Sequence, residues 1–398
     1  MNRYEENNIT TRGVVEIIPE EDFKKRLALG TPMRLKMGFD PTARDVTLGW
    51  AVGLRKLKQF QELGHQVILV VGYWTAQIGD PTNQSATRHM LSAEEVQSNA
   101  ENCLRQFYKI VDRTKTQVVW QSEWFGKFGL KEVIQLASRF TVAKFLSRED
   151  FANRFAQGRP ITLAELLYPI LQAYDSVAIQ ADVEFGGTDQ KFNCLAGRDL
   201  QEAMGQPPQQ VFLMPLLPGT DGRKMSQSFN NYIGVEESPN DMFGKIMSIT
   251  DDLIPTYFEL LTDVPDKDLI EIRNSQTTQG SNPIDLKKHL GHEIVAQFHT
   301  PVAASQAQAH FERVYQRRQT PEDIQDILVS GEDNGVHVEL PKFLAAHGLV
   351  SSRGEAKRLL NQGGVQIDGQ RVMEDPVFIS YGSVIKIGRH KWARVTRA

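Results

Sequence analysis

Lys36-Met37-Gly38-Phe39-Asp40-Pro41-Thr42-Ala43-Arg44-Asp45-Val46-Thr47-Leu48-Gly49-Trp50 is the stretch that decides how this chain of 398 residues is read. From Met33 to Phe39 apolar and polar residues alternate, the pattern of a strand. Asp40-Pro41-Thr42 then supplies a turn, because proline fixes φ and short polar side chains cap nearby N–H groups. Beyond it, Leu48, Val52, Leu54, Leu57, Phe60 and Leu63 recur near helical spacing, which predicts a helix from about Leu48 to Leu63. A strand that ends in a tight turn and opens a helix leaves N–H groups free for an anion. An ordinary βα corner has the same pattern, so the neighbouring sequence has to decide.

The neighbours extend the corner into a βαβ unit. Val67-Ile68-Leu69-Val70-Val71 is a continuous β-branched and aliphatic run, as in a strand buried on both faces of a parallel sheet. It leads into Gly72-Tyr73-Trp74-Thr75-Ala76-Gln77-Ile78-Gly79-Asp80-Pro81-Thr82, a second loop of the same kind. Strand, helix and strand make a βαβ unit, and ligands in such folds sit at the carboxyl ends of the strands. An amphipathic helix is expected over 20–29, a helix starting at Ser92 and a short strand at 118–120. Thr141 to Arg159 is polar and basic, with Lys144, Arg148, Arg154 and Arg159.

Composition narrows the class. Hydrophobic content of 40% and charged content of 24% are those of a globular protein, and the length suffices for two or three domains. Two distant cysteines, Cys103 and Cys194, suggest neither a disulfide framework nor a zinc site, and no metal centre is expected. That cysteine usage fits a reducing compartment. Neither a signal peptide nor a membrane-spanning run is visible, so a cytoplasmic location is expected. The net charge of −4 is unevenly spread. Residues 339–398 hold ten Lys or Arg against five Asp or Glu, about +5, which leaves about −9 for the rest. A basic terminal module on an acidic body points to a polyanionic partner.

Two further stretches carry chemistry. Tyr168, Gln172 and Asp175 are four and three residues apart, so a helix would put all three on one face, among Leu166, Leu167, Ile170 and Leu171. A phenol, an amide and a carboxylate so placed can hold an ammonium and a phenolic hydroxyl. Lys224-Met225-Ser226-Gln227-Ser228 reads as a flexible polar loop. Short helices punctuated by Pro239, Pro255, Pro265 and Pro283 follow, then a polar linker over 317–337. The last segment reads as helices over 340–347 and 352–361 and a hairpin turning on Asp368-Gly369.

Taken in order, Gly38-Phe39-Asp40-Pro41-Thr42-Ala43, Ile78-Gly79-Asp80-Pro81-Thr82, Tyr168 to Asp175, Gly186-Gly187-Thr188-Asp189-Gln190, Lys224-Met225-Ser226 with Asn231-Tyr232-Ile233-Gly234, and the basic tail resemble the bacterial tyrosyl-tRNA synthetases, a class I aminoacyl-tRNA synthetase family. The resemblance implies an α/β fold in three parts. These are a Rossmann-type parallel-sheet catalytic domain over 1–236 with a dimerisation insertion about 110–160, a helical tRNA-recognition domain over 237–316, and, after the linker, an α+β S4-like RNA-binding domain over 338–398. It implies a homodimer, tyrosine or a close analogue as substrate, ATP with Mg²⁺, and tRNA as partner. Thr75, Asp80, Tyr168, Gln172, Asp175 and Gln190 match its tyrosine pocket. Gly38, Asp40, Gly49 and Asp189 match its nucleotide site, with Thr42, Arg88 and Lys224 as its catalytic contacts. Arg353, Lys357 and Arg358 are the expected RNA contacts.

The chain departs from the family on the phosphate side. The family's His-x-Gly-His tetrad is Thr47-Leu48-Gly49-Trp50 here, so both histidines are replaced. Asn83 and Gln84 stand where the family has glycine and a basic residue, and Gln227 replaces the second lysine of the Lys-Met-Ser-Lys-Ser loop. Three readings remain open at this level. They are a divergent tyrosine–tRNA ligase, a paralogue using the tyrosine pocket for other small-molecule chemistry, and a non-catalytic protein that binds RNA or senses tyrosine.

Overall fold

The computed structural model describes residues 8–82, 91–277, 282–316, 324–331, 334–372, 375–388 and 391–398. They belong to two compact units, Met1–Gln308 and Ala309–Ala398.

The first unit is built on a six-stranded sheet. Its strands are β1 (Glu16–Ile18), β2 (Arg34–Phe39), β3 (Gln66–Val71), β4 (Thr116–Trp120), β5 (Val183–Gly187) and β6 (Gln210–Met214), in the order β1-β6-β5-β2-β3-β4. All neighbours are parallel except the β1–β6 edge pair. The chain runs outward from β2 through β3 to β4, then returns to β5 on the other side of β2. The topology therefore switches between β2 and β5, which opens a crevice at the carboxyl ends of those strands. Val67 to Val71 of β3 are fully buried, as the aliphatic run predicts.

Beside the sheet, Phe23, Phe60, Phe185 and Phe212 interlock, with Phe185 stacked on Phe212 at 4.7 Å and Phe60 edge-on to both. Such pairs add about 0.5–1.5 kcal/mol each beyond the area they bury. The predicted helices form at Glu20–Ala28, Leu48–Glu62 and Ala93–Phe107, the last closed by a capping box between Ser92 and Glu95.

Within the alternating run of β2, Lys36 is fully buried. The strand is central in a sheet covered on both faces, so its polar positions turn inward and must find partners. The helices from Pro239 to Phe298 belong to the same compact unit as the sheet, which runs to residue 308. Its helices Pro239–Met247, Ile254–Leu261 and Pro283–Phe298 each carry proline in the first turn, where a missing N–H costs nothing. Arg12 fastens the N-terminal segment to them by donating to the carbonyls of Phe258, Glu259, Thr262 and Val264. The expected linker over 317–337 includes two strands, β7 (Gln325–Val329) and β8 (Gly335–Val338). Ile327 explains the difference, because its buried side chain joins the terminal unit's core.

That second unit adds β9 (Val365–Ile367), β10 (Gln370–Arg371), β11 (Val377–Ser380), β12 (Val384–Ile387) and β13 (Lys391–Arg397). They form a sheet in the order β10-β9-β12-β13-β7 and a separate β8–β11 pair. The β9–β10 hairpin turns on Asp368 and Gly369, both at positive φ, as a tight hairpin turn requires. Helices Leu340–Ala346 and Arg353–Asn361 pack against this sheet around Leu344, Leu349 and Ala356. Among the described residues no helix is long and apolar enough to cross a membrane, and no group of three or more His, Cys, Asp or Glu side chains could hold a metal ion.

Candidate functional site

A cavity of about 370 Å³ opens at the β2–β5 switch point, within the size range of small-ligand sites. Its walls gather Gly38, Asp40, Thr42, Thr47, Gly49, Trp50, Thr75, Asp80, Tyr168, Gln172, Asp175, Asp189, Gln190 and Lys224 from five separate stretches of sequence. Arg88 and Gln84 lie outside the described residues.

The floor is set by helix Leu163–Ala178, which starts at a Thr162–Glu165 capping box. Tyr168, Gln172 and Asp175 project from it into the cavity, as their spacing predicts. Asp175 is 3% exposed and accepts from Gln121 Nε2 at 2.8 Å and Trp124 Nε1 at 3.2 Å. Burial pushes its carboxyl up to about 7, against the opposing pull of Lys36 and of the two hydrogen bonds. Each oxygen keeps acceptor capacity for one more donor, such as a phenolic hydroxyl.

Gln121 follows directly on β4, and its Oε1 accepts from the backbone N–H groups of Trp74 and Thr75. Neither Gln121 nor Trp124 is expected from the sequence. Their position just past a strand's carboxyl end is the signal that could have found them.

Nearer the mouth, Tyr168 donates its hydroxyl to Asp40 Oδ2 at 2.7 Å, and Thr75 Oγ1 donates to Asp40 Oδ1 at the same distance. Asp40, matched by resemblance to the nucleotide site, thus holds two residues of the expected amino-acid site. Burial and the charges of Asp40 and Asp80 drive the Tyr168 phenol well above its ordinary range, so it stays neutral with its oxygen free to accept. Gly72 makes this arrangement possible, since a Cβ there would fall 2.1 Å from Asp40 Oδ1. Asp80 accepts from Gln190 Nε2 at 2.8 Å and from the Thr82 N–H at 2.9 Å.

Behind the floor lies a buried ion pair that sequence reading misses. Lys36 Nζ donates to Glu184 Oε1 at 2.9 Å, Ser176 Oγ at 2.7 Å and the Gln172 carbonyl at 2.9 Å. Glu184 also accepts from Gln172 Nε2 and Gln209 Nε2. The Gln172 amide is thereby oriented with its nitrogen toward Glu184 and its oxygen available to a cationic ligand.

The opposite side of the cavity is the helix start at Thr47, whose hydroxyl makes no capping bond. Trp50 lines the cavity beside Phe39 and Phe107, with ring centroids 6.5 and 5.8 Å away. Lys224 reaches across to Asp189 Oδ2 at 2.8 Å. The loop carrying it is more fixed than its polar sequence suggests. Asn231, 3% exposed, accepts from the Ser226 N–H and donates to the Lys224 carbonyl and Asp221. Gln227 donates to the Asp45 carbonyl, which ties the loop to the opening turn.

A family model described as tRNA synthetases class I (W and Y) matches residues 28–316, and one described as the S4 domain matches residues 340–373. The chain is 52% identical over 389 residues to the tyrosine–tRNA ligase of Dehalococcoides mccartyi strain CBDB1, covering 98% of each. It is 49% identical to that of Moorella thermoacetica, over 97% of this chain and 94% of the relative. Among solved structures, tyrosyl-tRNA synthetase complexed with L-tyrosine from Archaeoglobus fulgidus superposes with a TM-score of 0.63 over 77% of this chain and all of its own, at 20% identity, a likeness of fold. The chain belongs to the tyrosyl-tRNA synthetase family of the class I tRNA synthetases.

The raised Asp175 sets a pH dependence. Below about 7 its carboxyl keeps a proton and can donate; above it the ionised form only accepts, which suits a ligand hydroxyl. L-Tyrosine affinity, measured by calorimetry, is expected to rise from about pH 6 to about pH 8. Asp175→Asn should flatten that rise and weaken binding about tenfold, since one buried donor loses its acceptor. A flat wild-type profile, or the same rise in the variant, contradicts the assignment.

Proposed function

We propose that this chain recognises L-tyrosine in the cavity and activates it with ATP for transfer to tRNA, at a rate held down by its nucleotide side. The observation that carries the amino-acid half is the buried Asp175 at the cavity floor, fixed by two donors, with Gln172, Tyr168 and Asp80 grouped toward the mouth. The floor accepts the phenolic hydroxyl, and the polar group at the mouth accepts the ammonium. A site built this way rejects phenylalanine, because a buried acceptor would be left unpaired. Tyrosyl-tRNA synthetase is itself the standard case of that discrimination.

In the reaction the tyrosine carboxylate attacks the α-phosphate of ATP, pyrophosphate leaves, and a ribose hydroxyl of the tRNA then takes the tyrosyl group with release of AMP. No covalent enzyme intermediate forms, so the protein contributes positioning and charge stabilisation. The residues on the nucleotide side fit ATP only in part. Thr42, Lys224, Asp189 and the Gly49 N–H at the Thr47 helix start are suited to a triphosphate and a ribose, with Mg²⁺ carried on the phosphates, while the Leu48 and Trp50 N–H groups already donate to the Ile233 and Thr47 carbonyls. Thr47 and Trp50 offer no imidazole, Gln227 no charge, and Lys224 is already paired with Asp189. Each missing donor typically lowers the rate about 10²–10³-fold.

Tyrosine-dependent ATP–pyrophosphate exchange tests this directly. Slow exchange is expected from the chain as it stands. Thr47→His combined with Trp50→His should raise it about 10²-fold or more. Wild-type exchange as fast as the variant's contradicts the reading of the nucleotide side. Exchange absent from both, with tyrosine still bound, leaves a binding protein and overturns the catalytic half.

We further propose a cytoplasmic homodimer that holds tRNA through its terminal unit. Leu130, Ile134, Val142, Phe155 and Leu163 are large apolar side chains left more than half exposed around the 110–160 segment, which supports a second copy there. Arg353, Lys357 and Arg358 are exposed on one helix of the terminal unit, which supports a phosphate-binding face. Sedimentation velocity checks both. The chain should run as two copies, and a variant with all three cations changed to alanine should keep that mass but bind tRNA more weakly. A one-copy mass or an undiminished tRNA complex contradicts the corresponding part.

A further inference from the structure

Two of the basic residues between 141 and 159 are not on the surface. Arg154 is buried in an ion pair with Glu165, which secures the start of helix Leu163–Ala178. Arg148 is 9% exposed and belongs to a different arrangement. Its Nε and Nη2 donate to the two oxygens of Asp150 at 2.6 and 2.7 Å, and its guanidinium lies 4.1 Å from the Phe151 ring centre. Nη1 is thereby aimed away from Asp150, and it donates to Asn193 Oδ1 at 3.3 Å.

Asn193 is 1% exposed and passes the orientation on. A primary amide has one accepting end and one donating end. With its oxygen on a cation, Asn193 must present Nδ2 on the other side, and Nδ2 donates to Gln190 Oε1 at 3.0 Å. Gln190, its oxygen occupied, presents Nε2 to Asp80 Oδ2 at 2.8 Å. The guanidinium thus sets the direction of two amides in series and ends on a carboxylate that lines the cavity. Buried chains of this kind are costly to reverse, because a flipped member faces like with like.

We propose that Arg148 is a positioning residue for ammonium recognition: through Asn193 and Gln190 it fixes the carboxylate of Asp80. The proposal rests on reading the cavity as a tyrosine site. It gives the segment around Glu149–Ala156 a role inside the pocket, although none of that segment's side chains lines the cavity.

Asn193→Asp separates this role from a merely structural one. The new carboxylate keeps the contact with Arg148 and turns it into an ion pair, so folding is not threatened. It offers no donor to Gln190, whose amide must then invert and point its oxygen at Asp80. The experiment is calorimetric titration of wild type, Asn193→Asp and Arg148→Met with L-tyrosine and with desaminotyrosine, which lacks only the ammonium. Both variants should bind L-tyrosine about tenfold or more weakly, the loss of one charge-assisted hydrogen bond, and desaminotyrosine as wild type does. The melting temperature of Asn193→Asp should be unchanged or higher. Unchanged tyrosine affinity in Asn193→Asp, or equal weakening for both ligands, overturns the proposal while the pocket reading stands. A wild type that binds no tyrosine overturns both.

Discussion

The buried ion pair between Lys36 and Glu184 is the constraint from which the cavity follows. The two residues face each other in register on the parallel strands β2 and β5, where the order of strands along the chain reverses. Two opposite charges out of water are stable only with their remaining hydrogen-bond capacity met. Ser176, the Gln172 amide and carbonyl, and Gln209 meet it here. Of these groups Gln172 also lines the cavity, as does Glu184 itself. Such a pair contributes little net stability, yet removing one partner costs about 3–5 kcal/mol. Its weight lies in specifying where helix Leu163–Ala178 sits against the sheet, and so where Tyr168 and Asp175 point.

Much of this is legible in the chain. The aliphatic run at 67–71, the turn at 40–42 and the helical spacing beyond Leu48 mark β2, β3 and the helix between them, because local pattern and tertiary role agree there. The spacing of Tyr168, Gln172 and Asp175 is enough to place them on one helix face. What pattern does not reveal is pairing across distance. Lys36 reads as the polar half of an alternation and is fully buried. Gln121 and Trp124 carry no mark in the sequence pattern, yet they hold Asp175. Residues 317–337 read as a linker because one buried isoleucine, Ile327, is too short a signal to mark a strand. The fixed loop around Asn231 is hidden for the same reason, since its order comes from contacts between side chain and backbone rather than from composition.

The two halves of the cavity differ in kind. On the amino-acid side, every polar group named has a partner that fixes its orientation, and accepting oxygens face the cavity. On the opposite side, Lys224 and Asp189 pair with each other, and the Trp50 indole stands beside two phenylalanines. The two sides are supported by different elements: the floor hangs on β5 and helix Leu163–Ala178, the opposite side on the Thr47 helix start and the 218–231 loop.

The most direct measurement of this asymmetry is the affinity of a non-hydrolysable tyrosyl-adenylate analogue relative to L-tyrosine, taken by competition on the same protein. An adenylate analogue spans both halves of the site, and analogues of the transition state next to it bind active enzymes about 10²–10⁸-fold more tightly than substrates. On the proposed reading, in which the tyrosine contacts are complete and the nucleotide contacts reduced, the gain here should stay below about 10²-fold. A gain well above that value, with tyrosine itself bound normally, would contradict the account.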